Sequence, residues 1–369
     1  MPHNEPTRRQ FLKATSAAVA ASAVAASALA GAGTTGHTTA DTTAETKPRP
    51  SGEDRQDSSK ILNYNPKMNY RRLGKTEIMI SEIGLGGHGS LGLENRAKVL
   101  ERAAELGINY LDTNIVEECA EYGEALRGKR KNWNIGFASW PEKITEEYEK
   151  NLTKEGMIRE IEGRLKHYKT DSLDIWRPVG ATWGQGQTSI PTMLMVSRKT
   201  LDLVVDVFET VHKDGKVRFL GISAHNPQVF RRVLDDYPQF SVVIFPYLFL
   251  TEEFGGGSLL DLAARKDVGV IGLKPFGAGM TFGNKPAALK DKVDSRAPVL
   301  IRKMLQETRL SAVIPGVNTP EQLDENVQGS YERDKPLAAE DRRAIHECTR
   351  NFYAHLTPHY EWLRLWETV

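Results

Sequence analysis

Four side chains of this 369-residue chain could share acid–base work if the fold brought them together: the carboxylate of Asp112, the phenol of Tyr122, the imidazole of His225 and the ammonium of Lys274. Carboxylates and imidazoles change charge between acid and neutral pH. A phenol or ammonium, with its ordinary pKa near 10, needs burial or a nearby charge to do so. Each residue also has a bland use. Asp112 could simply pair with Arg177 or Lys274, and Tyr122 could pack on a helix face. His225 could be a hydrogen-bonded loop residue and Lys274 a solvated cation. A second constellation, His88, Glu117, Glu118 and His225, offers imidazoles and carboxylates to a metal. Its spacing matches no ligand motif, so no metal is expected. Trp140, Trp176 and Trp183 suggest an aromatic wall for a planar, apolar or sugar ligand, with core packing as the default.

The elements that must position these residues are legible from periodicity. Tyr70–Gly74 and Ile78–Ser81 flank Lys75-Thr76-Glu77 and read as a hairpin. From Ile83 onward, short apolar runs alternate with amphipathic stretches. Strands are expected at 83–86, 108–112, 134–138, 173–176, 217–222, 242–245, 268–274 and 311–315. The last helix opens at Thr319-Pro320-Glu321-Gln322, a capping box with Pro at the first helical position. Eight strand–helix units over about residues 68–330 point to an α/β fold of the (β/α)8 TIM-barrel kind, whose usual length is about 250 residues. A doubly wound sheet is the alternative. The turn it would need reads Gly84-Leu85-Gly86-Gly87-His88-Gly89, with the wrong glycine spacing for a dinucleotide loop. In such a barrel the strand ends carry the site, and Asp112, Ser223, His225 and Lys274 all fall there. Residues 331–369 form a helical extension rich in aromatics.

The two cysteines, Cys119 and Cys348, cannot hold an iron–sulfur cluster through four thiolates. They are read as unpaired thiols, with a single disulfide as the alternative. A formal net charge of +1 gives no reason to expect nucleic acid as a partner. Thr7-Arg8-Arg9-Gln10-Phe11-Leu12-Lys13 precedes an Ala-rich stretch ending near Ala32. This resembles a twin-arginine export signal and is too weakly apolar for a stable membrane span. The expectations are a signal over 1–32, a disordered linker over 33–67, the export machinery as a partner, and a periplasmic or extracellular place.

Asn69-Tyr70-Arg71-Arg72-Leu73-Gly74-Lys75-Thr76, Ser81–Gly86, Gly107–Thr113 and Ile314-Pro315-Gly316-Val317 with Glu325-Asn326 are distributed along the chain. Together they resemble the aldo/keto reductases. The resemblance implies a barrel that binds NAD(P)H extended and reduces a carbonyl of a small molecule. The expected catalytic set is a proton-donating tyrosine, a lysine that lowers its pKa, an aspartate that holds the lysine, and a substrate-orienting histidine. Only Asp112 matches directly. The tyrosine position holds Glu117, with Tyr122-Gly123 five residues late. The lysine position falls on Trp140 or Ser139 and the histidine position on Val179. Tyr122, His225 and Lys274 are then the candidate substitutes. For the cofactor, the resemblance implies Gly86, Ser223, Pro275, Gly277, Gly316, Gln322, Glu325 and Asn326. Gly316 and Gln322 stand where the family places the lysine and arginine of the 2′-phosphate site, which weakens any NADPH preference. Free nicotinamide nucleotide is not expected outside the cytoplasm, so export and an exchangeable cofactor pull apart. The expectation is an oxidoreductase with weak carbonyl reduction. The alternatives are a silent ligand-binding barrel, or a lyase or isomerase using carboxylates and histidines at the mouth.

Overall fold

The computed structural model describes residues 57–86, 89–139, 152–181, 190–191, 196–253, 258–283 and 294–369. The leader, residues 33–56 of the expected linker, His88, Trp140 and Trp183 lie outside the described residues. Residues 57–67, read from sequence as disordered, are instead ordered, with a 3-10 turn at Ser58–Lys60, a buried Ile61, and Asn63 and Asn65 bonded to the Ile108 and Glu105 carbonyls. Strands β1 (Tyr70–Arg72) and β2 (Met79–Ser81) pair antiparallel, with Arg71 opposite Ile80. Gly74 turns this hairpin at φ +52°, and a Cβ there would lie 2.2 Å from the Gly269 backbone nitrogen. The hairpin is therefore pressed onto the start of a barrel strand, a contact closed to any larger residue.

The barrel strands are β3 (Leu85–Gly86), β4 (Tyr110–Thr113), β5 (Asn134–Ser139), β6 (Leu173–Ala181), β8 (Val217–Ala224), β9 (Phe240–Pro246), β10 (Gly269–Leu273) and β11 (Ala312–Ile314). They pair in parallel in that order. Parallel bridges Ile83–Val313 and Gly86–Gly316 join the first strand to the last and nearly close the barrel. A short strand β7 (Ile190–Pro191) pairs with the end of β6. Flanking helices include α1 (Leu93–Glu105), α2 (Val116–Ala125), α3 (Lys154–Tyr168), α4 (Arg198–Lys213), α5 (Pro227–Asp236), α6 (Leu259–Arg265), α7 (Ala297–Leu305) and α8 (Pro320–Asn326).

Alternating side chains divide the core in two. Tyr110, Ile175, Val242, Ile244, Ile271, Ala312 and Ile314 fill the barrel interior. A larger cluster, with Leu111, Ile135, Phe137, Trp176, Val243 and Phe245, packs the strands against the helices. Trp176 is thus core and not pocket wall. A short helix α9 (Gln328–Tyr331) follows, and beyond the barrel a helix α10 (Ala339–His355) and a 3-10 segment (Pro358–Trp366) run back across it. Trp366 stacks on Phe245 with ring centroids 5.1 Å apart. The last residues are tied to the β9 loop by Glu252 N–H to Glu367 O at 2.9 Å and Val369 N–H to Glu252 O at 3.1 Å. Cys119 and Cys348 are both buried free thiols.

Candidate functional site

The centre of the site is an ion pair across the barrel. Asp112 ends β4 and Arg177 lies on β6, two strands away; they are 4% and 3% exposed. The Arg177 Nε donates to Asp112 Oδ2 at 3.1 Å, and its Nη2 pairs closely with Oδ1. Nη2 also reaches Thr113 O at 3.2 Å, and Nη1 donates to Ser223 Oγ at 2.7 Å. Tyr110 Oη donates to Asp112 Oδ2 at 3.0 Å. Burial alone would lower the Arg177 pKa, but the Asp112 carboxylate outweighs it and holds the guanidinium raised. Burial, then the Asp112 charge, pushes the Tyr110 phenol well up, so it stays a proton-bearing donor.

Strand β5 runs between the two charges and leaves them a gap. A Cβ on Gly136 would lie 2.2 Å from Tyr110 Oη and 2.5 Å from Asp112 Oδ2. Glycine there is what lets the network cross the strand. Strand β6 runs on to Ala181, past the end at Trp176 that the sequence suggests, its last residues pairing with β8 and β7. A charged Arg followed by Pro reads as a strand terminus, yet Asp112 neutralises the charge inside the barrel. Of the two partners the sequence offers Asp112, the fold selects Arg177.

Lys274 follows β10, in the left-handed region at φ +53° and partly buried. Burial, then the neighbouring Arg177 charge, lowers its pKa to about 8. It has no hydrogen-bond or carboxylate partner among the described residues. Its Nζ lies 5.9 Å from the ring centroid of Trp362, and that ring stacks on His225 at 3.8 Å and 18°. His225 sits just before Asn226, whose side chain caps α5 by accepting from Gln228 N–H at 2.9 Å. Trp366 Nε1 donates to His225 O at 3.1 Å, so the C-terminal segment holds this loop from two sides. Trp362 is the site residue that sequence reading missed. Its only signal was an aromatic-rich tail, which is usually packing.

Tyr122 belongs elsewhere. It is fully buried on α2, beneath the Arg96 guanidinium at 4.5 Å, and its Oη accepts from Arg96 Nη1 at 3.2 Å. Burial raises its pKa despite Arg96. Its partners are Arg96 and that arginine's carboxylates, not Asp112, Arg177 or Lys274. Glu117, in the family's tyrosine position, is exposed, whereas Glu118 is fully buried. Glu118 Oε2 accepts from Asn114 N–H at 3.0 Å, and Oε1 has no hydrogen-bond partner among the described residues. Arg96 stands 3.9 Å away. Burial pushes this carboxyl up to about 7. The folded chain then holds the proton more tightly than the unfolded chain, so stability falls as pH rises from 4.5 to about 7. Glu118→Gln is expected to flatten that fall and to stabilise the fold at pH 8 by roughly 1–3 kcal/mol, read by urea denaturation. An unchanged pH profile would assign the fall to other groups.

The cofactor candidates scatter. Gly86 pairs with Asp112 across the strands, and a Cβ there would meet Ile314 at 2.5 Å. Ser223 is buried and its hydroxyl already accepts from Arg177. Pro275 is buried, and Gly277, at φ +54°, is covered by Phe352 of α10, 2.5 Å from where a Cβ would stand. Gly316 faces open space. The Gln322 Oε1 accepts from Asn318 N–H at 2.7 Å and Thr319 N–H at 3.3 Å, closing the capping box. Glu325 is partly buried and Asn326 buried. These residues do not fit NADP(H): neither 2′-phosphate cation is present, and the glutamine amide in their place is committed to its helix. Among the described residues no group of three metal-ligating side chains occurs.

The sequence pattern of the Aldo/keto reductase family matches residues 82–350. The chain is 26% identical over 328 residues to the uncharacterized oxidoreductase YqkF of Bacillus subtilis (strain 168), covering 77% of this chain and 97% of that one. It is 24% identical over 300 residues to L-galactose dehydrogenase of Arabidopsis thaliana, covering 71% and 88%. Its fold is similar to that of the aldo-keto reductase AKR11C1 from Bacillus halodurans in its holo form, with a TM-score of 0.57 and 22% identity over 80% of this chain and 100% of that one.

Proposed function

The chain belongs to the aldo/keto reductase family of oxidoreductases, and from that premise we propose a carbonyl site rebuilt around Lys274 and the Asp112–Arg177 pair, with weak carbonyl reduction. The observation that carries this reading is the partner of Asp112. By resemblance that carboxylate holds a lysine, which in turn acidifies a tyrosine. Here it holds an arginine that is already bound to Ser223 and Thr113. A guanidinium stays charged at all working pH and gives up no proton. Tyr110, the phenol in contact with the pair, donates to Asp112 from inside the core and has its pKa raised. No acidified phenol is therefore assembled among the described residues.

What remains for the reacting oxygen is Lys274. As an ammonium it can hold negative charge that develops on a carbonyl oxygen, and with its pKa near 8 it is still largely protonated at neutrality. The Asp112–Arg177 pair is neutral overall, and its guanidinium is near enough to lower the Lys274 pKa. Nothing in the site supports a preference for NADP(H) over NAD(H). The Arg8-Arg9 leader supports export, where an exchangeable dinucleotide is scarce.

The test is a titration of the purified chain with NAD(H) and NADP(H), paired with a panel of aldehydes and ketones. Slow turnover, with NADP(H) bound no more tightly than NAD(H), is expected. Rapid NADPH-dependent aldehyde reduction would sink the reading. Tight binding of a small carbonyl compound without turnover under any cofactor would make the barrel a receptor.

A further inference from the structure

We propose that Lys274 and Trp362 form a subsite for a carboxylate group, so that the ligand of this barrel mouth is a small organic acid, of the oxo-acid kind if the site is a carbonyl site. The inference rests on the reading above only in taking this mouth as the ligand site. Two independent observations carry it. Lys274 is a partly buried ammonium with no carboxylate or hydrogen-bond partner among the described residues. Trp362 is 8% exposed, and its Nε1 is buried without a hydrogen-bond partner among them. The two are neighbours, the ammonium standing over the indole face with its Nζ 5.9 Å from the ring centroid, so a bridging carboxylate spans from the ring face to the N–H at its edge.

Each orphan is costly alone. A buried N–H forfeits its hydrogen bond to water, and a buried ammonium forfeits more. One group answers both. A carboxylate brings a full negative charge for Lys274 and a second oxygen for the indole N–H. A neutral carbonyl can accept one hydrogen bond but leaves the charge uncompensated. The remaining cation nearby, Arg177, is committed to Asp112. Lys274 is therefore the charge left over. The backbone holds it there: φ is +53°, unusual for a side chain larger than glycine, in a turn closed by Gly277 N–H to Lys274 O at 2.9 Å. Stacking on His225 at 3.8 Å fixes the indole plane, and so the direction of its N–H.

The probes are phenylglyoxylate and its methyl ester, which share a planar body and differ in charge. Binding to the purified full chain is measured by calorimetry and by the shift in Tm, with no turnover required. The acid is expected to bind roughly 10- to 100-fold more tightly than the ester. Lys274→Met should remove that difference, bringing acid binding down to the level of the ester. Trp362→Phe keeps the ring but loses the N–H, and should cost the acid several-fold. Circular dichroism confirms that both variants fold. Equal binding of acid and ester, acid binding that survives Lys274→Met, or no binding of phenylglyoxylate, oxamate or benzoate up to ~10 mM, would each overturn the proposal. The redox reading is judged separately. Lys274-dependent acid binding with no turnover keeps the subsite and drops the reductase. Turnover of neutral carbonyls without acid preference does the reverse.

Discussion

Asp112→Asn should lower the unfolding free energy by about 3–5 kcal/mol, because it leaves the Arg177 guanidinium charged and nearly waterless in the barrel interior. The substitution keeps the shape, so the loss is electrostatic. Arg177→Met should cost a similar amount by leaving Asp112 alone. Together the two should not add. Asp112→Asn with Arg177→Met removes both charges and is expected to recover most of the stability, since a neutral, well-filled interior replaces a costly pair. A urea-denaturation cycle over the four proteins measures this. Additive losses would mean that the two charges are not coupled and that the network across Gly136 is misread. Any turnover should fall by two orders of magnitude or more in Asp112→Asn, because the unpaired guanidinium would shift and alter the charge around Lys274.

Activity or anion binding should fall as pH rises through about 8, the pKa that burial and the Arg177 charge give Lys274. The sign follows from which form works: the ammonium holds negative charge and the free amine does not. A family reductase working through an acidified phenol would also lose activity in alkali. The discriminating variant is Lys274→Met, which should be slow and flat across pH 6–9, with roughly a 100-fold lower kcat/KM at pH 7. Stability moves oppositely. The unfolded lysine, with its ordinary pKa of 10.5, holds its proton more tightly than the folded one. Stability is therefore lost as pH falls from 10.5 through about 8, and Lys274→Met should gain roughly 1–3 kcal/mol at pH 7. A variant that loses function while gaining stability marks a residue kept for chemistry.

The barrel was legible because its signals are local. Apolar runs, capping boxes and glycine stops each sit within one element, and eight repeats leave few arrangements. The site was legible only where it lies at a strand end. Asp112, Ser223, His225 and Lys274 could be placed by counting along the chain. The Asp112–Arg177 pairing could be named only as one of two options, since choosing between them needs the register of β4, β5 and β6. Tyr122 misled because a tyrosine–glycine pair near the right place outweighed its position inside a helix face. Its hydroxyl oxygen instead accepts from Arg96 within the helix layer, away from Asp112 and Lys274. Trp362 lies 88 residues beyond Lys274, and no spacing rule connects them. The connection is made by the tail's own pairing with the β9 loop.

The missing side chain at Gly136 constrains any redesign of this site. With the Asp112 carboxylate already paired to Arg177, a lysine placed at the end of β5 would find its partner taken and a like charge beside it. A side chain at Gly136 would press on Tyr110 Oη and Asp112 Oδ2 and so disturb the carboxylate that Arg177 depends on. Installing a tyrosine–lysine centre therefore needs at least two coordinated changes. Anyone wishing to install that chemistry should exchange Arg177 and the β5 terminus together and leave Gly136 untouched.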